Sequence, residues 1–170
     1  GGGLGVHALQ LAVAMGARAM GATSSPDKLD ELERYAPGDV VLGGELDFSE
    51  IVLALTEDQG VDVVIDTVGS ALFQSSLKSV TQFGMMVLLG EVAGGEARVN
   101  PAEIIFRDAP IVGSSGADRR HIFTVAEMVG SGAIRPMVSQ RFALEDAADA
   151  YRLMRARKTF GRVLLVPPPL

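Results

Sequence analysis

The chain has no cysteine and no tryptophan, and aromatic residues make up only 5% of its 170 positions. Without cysteine there is no disulfide, no thiolate metal ligand and no cysteine nucleophile, a usage that suits a cytoplasmic protein. No apolar run approaches the roughly 20 residues that a membrane-spanning helix needs, so no membrane partner is expected. No charged segment followed by an apolar one opens the chain, so no signal peptide is visible. Positive charge is also short: 15 Lys and Arg stand against 21 Asp and Glu, a net charge of −6. That balance argues against a nucleic-acid partner, whose phosphates would need a broad cationic surface. A small anionic ligand needs only local positive groups and remains compatible with it.

Histidine is scarce as well. His7 and His121 have no Cys, no second His and no patterned carboxylate close by in sequence. Both are expected to be structural, and no metal ligand set is assigned to the chain. Neither a His-Glu-x-x-His pair on a helix nor a Gly-x-Ser-x-Gly elbow is present.

What the chain does have is Ala, Val, Leu and Gly, within a hydrophobic content of 48%. Small and β-branched apolar residues suit parallel strands buried under helices. Apolar spacing, capping residues and glycine breaks predict helices over 4–15, from Ser25-Pro26 to about Tyr35, and over 48–56, 71–80 and 119–129. The first should be buried nearly all round, and a short helical turn should open at Asn100-Pro101. Strands are expected over 18–23, 39–42, 61–66, 85–89 and 110–113, with 61–66 buried on both faces. This alternation predicts a parallel sheet with helices on both faces, and ligands at the carboxyl ends of its strands. Past Ile134 the pattern changes to a strand over 137–142, an amphipathic helix over 144–157 and a strand over 162–166. Residues 1–133 therefore read as a dinucleotide-binding domain and 134–170 as a separate return segment.

Chemistry concentrates at the first dozen residues. Four of the first five are glycine, and an apolar helix follows at once. Glycines let a backbone approach a pyrophosphate, and the helix start aims N–H groups and a positive dipole end at it. Two spacings fit. Gly1, Gly3 and Gly5 give Gly-x-Gly-x-Gly, the form of many S-adenosylmethionine-binding folds. Gly2 and Gly5 give the last two glycines of Gly-x-Gly-x-x-Gly. The second strand then ends in Thr23-Ser24-Ser25, with Lys28 one turn on. A fold that prefers NAD puts a carboxylate there for the ribose hydroxyls; hydroxyls and an ammonium instead suit a 2′-phosphate. Asp66-Thr67-Val68-Gly69 and Gly90-Glu91-Val92 follow the two strongest strands, where small residues leave room for a ligand. A short-chain dehydrogenase would need Tyr four residues before Lys, but Tyr35 leads to Asp39 and Tyr151 to Arg155.

Taken in order, residues 2–12 (Gly-Gly-Leu-Gly-Val-His-Ala-Leu-Gln-Leu-Ala), 24–29, 60–69, 111–116 and 156–165 resemble the C-terminal half of a medium-chain dehydrogenase/reductase. The nearest branches are the NADPH:quinone reductase-like and zinc-type alcohol dehydrogenase-like enzymes. The resemblance implies a Rossmann-type doubly wound parallel sheet and an oxidoreductase that passes hydride from NADPH to a quinone, enone or carbonyl compound. It implies NADP(H) in preference to NAD(H), held by Gly2, Gly3, Leu4 and Gly5 at the pyrophosphate. Ser24, Ser25 and Lys28 would face the 2′-phosphate. Thr67, Val68, Gly90 and Ser114 would lie towards the nicotinamide half. It also implies a small-molecule substrate, a substrate domain preceding the glycine turn, and a homodimer formed through the edge strand near Ile111. Zinc ligands, where the family uses them, belong to that preceding domain, so zinc is not expected on this segment and no catalytic residue is named.

One departure bears on the cofactor. Quinone reductase relatives often carry Asn-Tyr after the third strand, and here Leu42-Gly43 stand in that place, which weakens the NADP reading. Two alternatives stay open at this point: an S-adenosylmethionine-dependent methyltransferase, and a non-catalytic nucleotide-binding domain. The first, central strand of the doubly wound sheet is expected to be missing, leaving a gap beside residues 61–66 and a chain that does not fold stably alone.

Overall fold

A computed structural model describes residues 2–35, 39–43 and 47–169. Gly1 and the predicted helix stop at Pro37-Gly38 lie outside the described residues. The fold is mixed α/β, the expected class, and every strand pairing among the described residues is parallel. The chain divides into two compact units, Gly1–Leu42 with Arg119–Leu170, and Gly43–Asp118. Among the described residues no helix is long and apolar enough to cross a membrane.

The first unit opens with helix α1 (Gly5–Ala14), then strand β1 (Gly21–Thr23), a 3-10 turn over Pro26–Lys28, helix α2 (Leu29–Glu33) and strand β2 (Val40–Leu42). It resumes with α6 (Arg119–Gly130), β6 (Val138–Ala143), a 3-10 turn over Leu144–Asp146, α7 (Ala147–Arg155) and β7 (Arg162–Val166). β1 pairs with β2, and β6 with β7. Val6, Leu9, Leu32 and Phe160 form its buried cluster, with Tyr35 stacked on Phe160. An isolated bridge joins Gly2 to Gly161.

Two expectations are cut back in this unit, the all-round burial of the first helix and the length of the strand over 18–23, whereas the amphipathic helix past Ile134 forms as α7. Only Val6, Leu9 and Gln10 of α1 are buried, whereas Val13 is 47% exposed. The helix packs through one face, and its uniform apolarity did not report which. On α7 only Ala150 is buried, while Tyr151 and Met154 stand exposed. The predicted strand over 18–23 also shortens to its last three residues, because pairing with β2 spans only Gly21 to Thr23.

The second unit holds α3 (Phe48–Leu55), β3 (Val61–Asp66), α4 (Phe73–Lys78), β4 (Val80–Leu88), α5 (Pro101–Arg107) and β5 (Ile111–Gly113), with strand order β3-β4-β5. Side-chain caps start two of its helices: Asp47 accepts from Ser49 N–H, and Asn100 from Ala102 N–H. Phe73, Leu77, Val80, Met86 and Ala109 make the core.

Among the described residues β3 ends its sheet, paired on one side only. The expectation that it is buried on both faces is overturned: Val64 and Asp66 face the packed side, while Val63 and Ile65 are 53% and 43% exposed. A strand with one neighbour and one packed face exposes its alternate residues. The helix predicted over 71–80 is also shorter, because Val80 already belongs to β4. That strand continues through Gly84 with a register shift opposite Val61–Val63, and Phe83 there takes a positive φ of 62°.

Candidate functional site

Of the residues singled out from the sequence, the glycine turn and the Ser24–Lys28 group fall in the first unit. Thr67, Val68, Gly90 and Ser114 fall in the second.

In the first unit the chain from Gly2 to Gly5 enters α1 without a side-chain cap. A Cβ built at Gly2 or at Gly5 would meet nothing within 4 Å, and neither residue has a positive φ. Packing and backbone conformation therefore do not require glycine at these two positions. Open space over uncapped helix N–H groups is what a bound phosphate would use. Gly3 differs, because a Cβ there would come within 2.7 Å of the Arg162 Cδ. The Arg162 side chain thus lies on the glycine turn, a placement that no local spacing in the sequence signals.

His7 ties this turn to the return segment. Its Nδ1 donates to the Gly3 carbonyl at 2.5 Å, and its Nε2 accepts from Met137 N–H at 2.9 Å, which together fix the tautomer. One turn on, the Gln10 amide donates to the Arg135 carbonyl and accepts from Arg135 N–H, at 3.1 and 2.8 Å. The structural reading of His7 holds.

Ser25 sits at the N-cap of the 3-10 turn, with Pro26 following, yet its side chain makes no capping bond. The Thr23 hydroxyl instead accepts from Ser25 N–H. The Ser25 hydroxyl is therefore not used up as a cap, and Ser24 is exposed. Lys28 Nζ donates to the Arg157 carbonyl at 2.8 Å. Burial pushes the Lys28 ammonium down, against the pull of Glu31, and the Arg157 charge lowers it further. Two cations this close make a place where an added anion is welcome.

In the second unit the carboxyl ends of the three strands enclose a cleft of about 480 Å³. Gly90 and Ser114 line it, together with Gly69, Ser70, Phe73 and Glu91. Thr67 and Val68 stand beside it. A Cβ at Gly90 would meet the Thr67 carbonyl at 2.8 Å, and Val92 N–H donates to the Val68 carbonyl.

Two carboxylates shape these turns, and the sequence reading assigned neither a role. Asp66, 4% exposed, accepts from Val68 and Gly69 N–H through one oxygen and from the Ser76 hydroxyl through the other. Its signal was an aspartate ending a strand before a Gly-containing turn, the ordinary grammar of an Asx cap. Glu91 accepts from the Ser70 N–H and hydroxyl and from the N–H groups of Ala93 and Gly94. Glutamate is a less usual turn residue, and only the contact across to Ser70 reveals it. No group of three or more His, Cys, Asp or Glu among the described residues could hold a metal ion.

Residues 3–131 match the zinc-binding dehydrogenase family. The chain is 38% identical to the acryloyl-coenzyme A reductase of Metallosphaera sedula, over 96% of this chain and 48% of that protein. The crystal structure of an NAD-dependent alcohol dehydrogenase superposes with a TM-score of 0.88 at 31% identity, covering 95% of this chain and 47% of the other. The mycobacterial Rv1454c complexed with NADPH superposes with a TM-score of 0.82 at 27% identity, covering 97% and 54%. The chain spans about half the length of the curated relatives it matches. None of these three relatives is a methyltransferase.

Proposed function

The chain belongs to the zinc-binding dehydrogenase family, and we propose that the protein it represents is an NADPH-dependent oxidoreductase of the medium-chain type. Its substrate would be a quinone, an enone or a carbonyl compound, an electron-poor double bond in each case. The reduced nicotinamide, when bound, supplies the hydride. The residues of this chain bind and orient it. Gly2, Gly3, Leu4 and Gly5 offer backbone N–H groups and open space to the pyrophosphate, and Arg162, lying on Gly3, adds a guanidinium. Ser24, Ser25 and Lys28 hold the 2′-phosphate. Thr67, Val68, Gly90 and Ser114 border the nicotinamide end.

The observation that carries NADPH over NADH is the end of β1. No carboxylate stands there, the Ser25 hydroxyl makes no cap, and Lys28 lies beside Arg157. A ribose 2′-hydroxyl would find no acceptor of the usual kind, whereas a dianionic phosphate finds cations. The named relatives use both cofactors, so this chain's own residues carry the choice.

In this reading residues 1–133 are the cofactor domain and 134–170 are the return segment of a substrate domain whose larger part is not in this chain. Self-association would run through the edge near Ile111, and the protein would work in the cytoplasm.

Titration of the intact protein with NADPH, NADH and S-adenosylmethionine, read by nicotinamide fluorescence and by thermal shift, tests the proposal. NADPH should bind at least about tenfold more tightly than NADH, the value of one or two phosphate contacts. Tighter NADH binding would sink the 2′-phosphate reading, and a response to S-adenosylmethionine alone would sink the oxidoreductase.

A further inference from the structure

Glu91 reaches across the mouth of the cleft in the second unit. Its Oε2 accepts from Ser70 N–H at 2.7 Å, and its Oε1 accepts from the Ser70 hydroxyl, Ala93 N–H and Gly94 N–H, each at 2.9 Å. Both oxygens are thus used, by donors from two different turns. Main-chain bonds join the same turns: Leu89 N–H to the Asp66 carbonyl, and Val92 N–H to the Val68 carbonyl. Gly69 completes the fit. Its φ is +87°, and a Cβ there would run into the Glu91 carboxylate. Gly69, Ser70, Gly90 and Glu91 all line the cleft.

We propose that Glu91 is a positioning residue for the nicotinamide end of the cofactor, its carboxylate clamping the 67–70 turn onto the 90–95 turn and so setting the width of the cleft. This deepens the oxidoreductase reading and rests on it. Six bonds, four from the clamp and two from the main chain, hold Thr67 and Val68 at the border of the cleft before any ligand arrives. A ring entering a preformed slot loses less freedom than one that must order the walls around it. The chemistry of the clamp is specific. An amide in place of the carboxylate would turn an NH2 group towards N–H donors on one side or the other. Glutamine is therefore no substitute, although its shape is the same. Hydrogen bonds from the Ser70 main chain and hydroxyl, and from Gly94 and Ala93 N–H, lower the Glu91 carboxyl against the upward push of burial.

The test compares two ligands in the intact protein: NADPH, and 2′-phospho-ADP-ribose, which lacks the nicotinamide. Glu91→Ala and Glu91→Gln should each weaken NADPH roughly tenfold and leave 2′-phospho-ADP-ribose within twofold of wild type. Ser70→Ala, which removes one of the four bonds, should weaken NADPH about threefold with the same selectivity, and it carries the test if the Glu91 variants do not fold. Unchanged NADPH affinity in the folded variants overturns the proposal. Equal losses for both ligands also overturn it, because a general loss of structure does not choose one end of a ligand. A wild-type protein that binds neither ligand is a different result: the oxidoreductase reading then falls, and the positioning role with it.

Discussion

The two units hold their candidate ligand-binding turns by different means. In the second, the turns are held by neighbours in sequence. Asp66 binds residues two, three and ten positions on, and Glu91 bonds to Ser70, 21 positions away. In the first, the glycine turn is held by residues from the other end of the chain. His7 meets Met137 at a separation of 130, Gln10 meets Arg135 at 125, and Gly2 bridges to Gly161. The difference teaches that a turn can share a fold family's sequence pattern and still depend on remote chain for its shape.

The strongest test of the contrast is the self-sufficiency of the second unit. Leu77 is fully buried in its core, and Leu77→Ala should cost about 2–5 kcal/mol, read by urea unfolding of the intact protein. A loss under about 1 kcal/mol would mean that the local core does not hold this unit. The matching test in the first unit is Gly161→Ala. Gly161 has a φ of +87°, and a Cβ there would strike the Met137 main chain. The expected cost is about 1–3 kcal/mol, with faster amide exchange across α1 and unchanged exchange across β3. Equal acceleration in both would erase the distinction between near and distant support.

Asp66→Ala sharpens the second half of the comparison. It strands two backbone N–H groups and the Ser76 hydroxyl, at about 1–3 kcal/mol, and the damage should stay within the 67–70 turn and α4.

The smallest effect is electrostatic. Burial pushes the Asp47 carboxyl up, but hydrogen bonds from Lys78, Ser49 and Ser75 outweigh it and hold the group well below the usual carboxylate range. Its folded-state value lies below the unfolded one, so its contribution is complete above about pH 4 and fades as pH falls towards the folded value. Lys78 is raised by the same pair, through its hydrogen bond to Asp47, so that share is present below about pH 10.4 and fades above it. Asp47→Asn should therefore lower stability modestly at neutral pH and, with that contribution no longer there to lose, flatten the acid limb of the stability curve below about pH 4. An unaltered acid limb would remove the pair from the ledger of local supports.

How much the sequence revealed follows the same division. The αβ alternation, the parallel sheet, the Asn100 cap and the range of β3 were all readable, because period, caps and breaks are local signals. β3 carried its apolar run but not its exposure: a run of valines reports burial in a complete sheet, and this strand has one neighbour. The path of β4 through Gly84 was unreadable because a glycine after Phe83 looks like a turn, whereas Val80 and Met85 pair with β3 on either side and carry both residues in the strand as an unpaired irregularity. Of the site, the Gly90 and Ser114 lining of the cleft was legible from small residues after strands. Glu91 was passed over, since its role depends on Ser70 across the cleft. Arg162 and the contacts of His7 lie beyond any window of neighbouring residues.

The bridge between Gly2 and Gly161 also sets an order of events during synthesis. The glycine turn leaves the ribosome before Gly161, which follows about 160 positions later, on the order of ten seconds at usual elongation rates. The second unit, braced by its own neighbours, can be finished in that interval. The glycine turn is thus made well before it is braced, and a nascent chain halted before Phe160 would lack the bridge to Gly161.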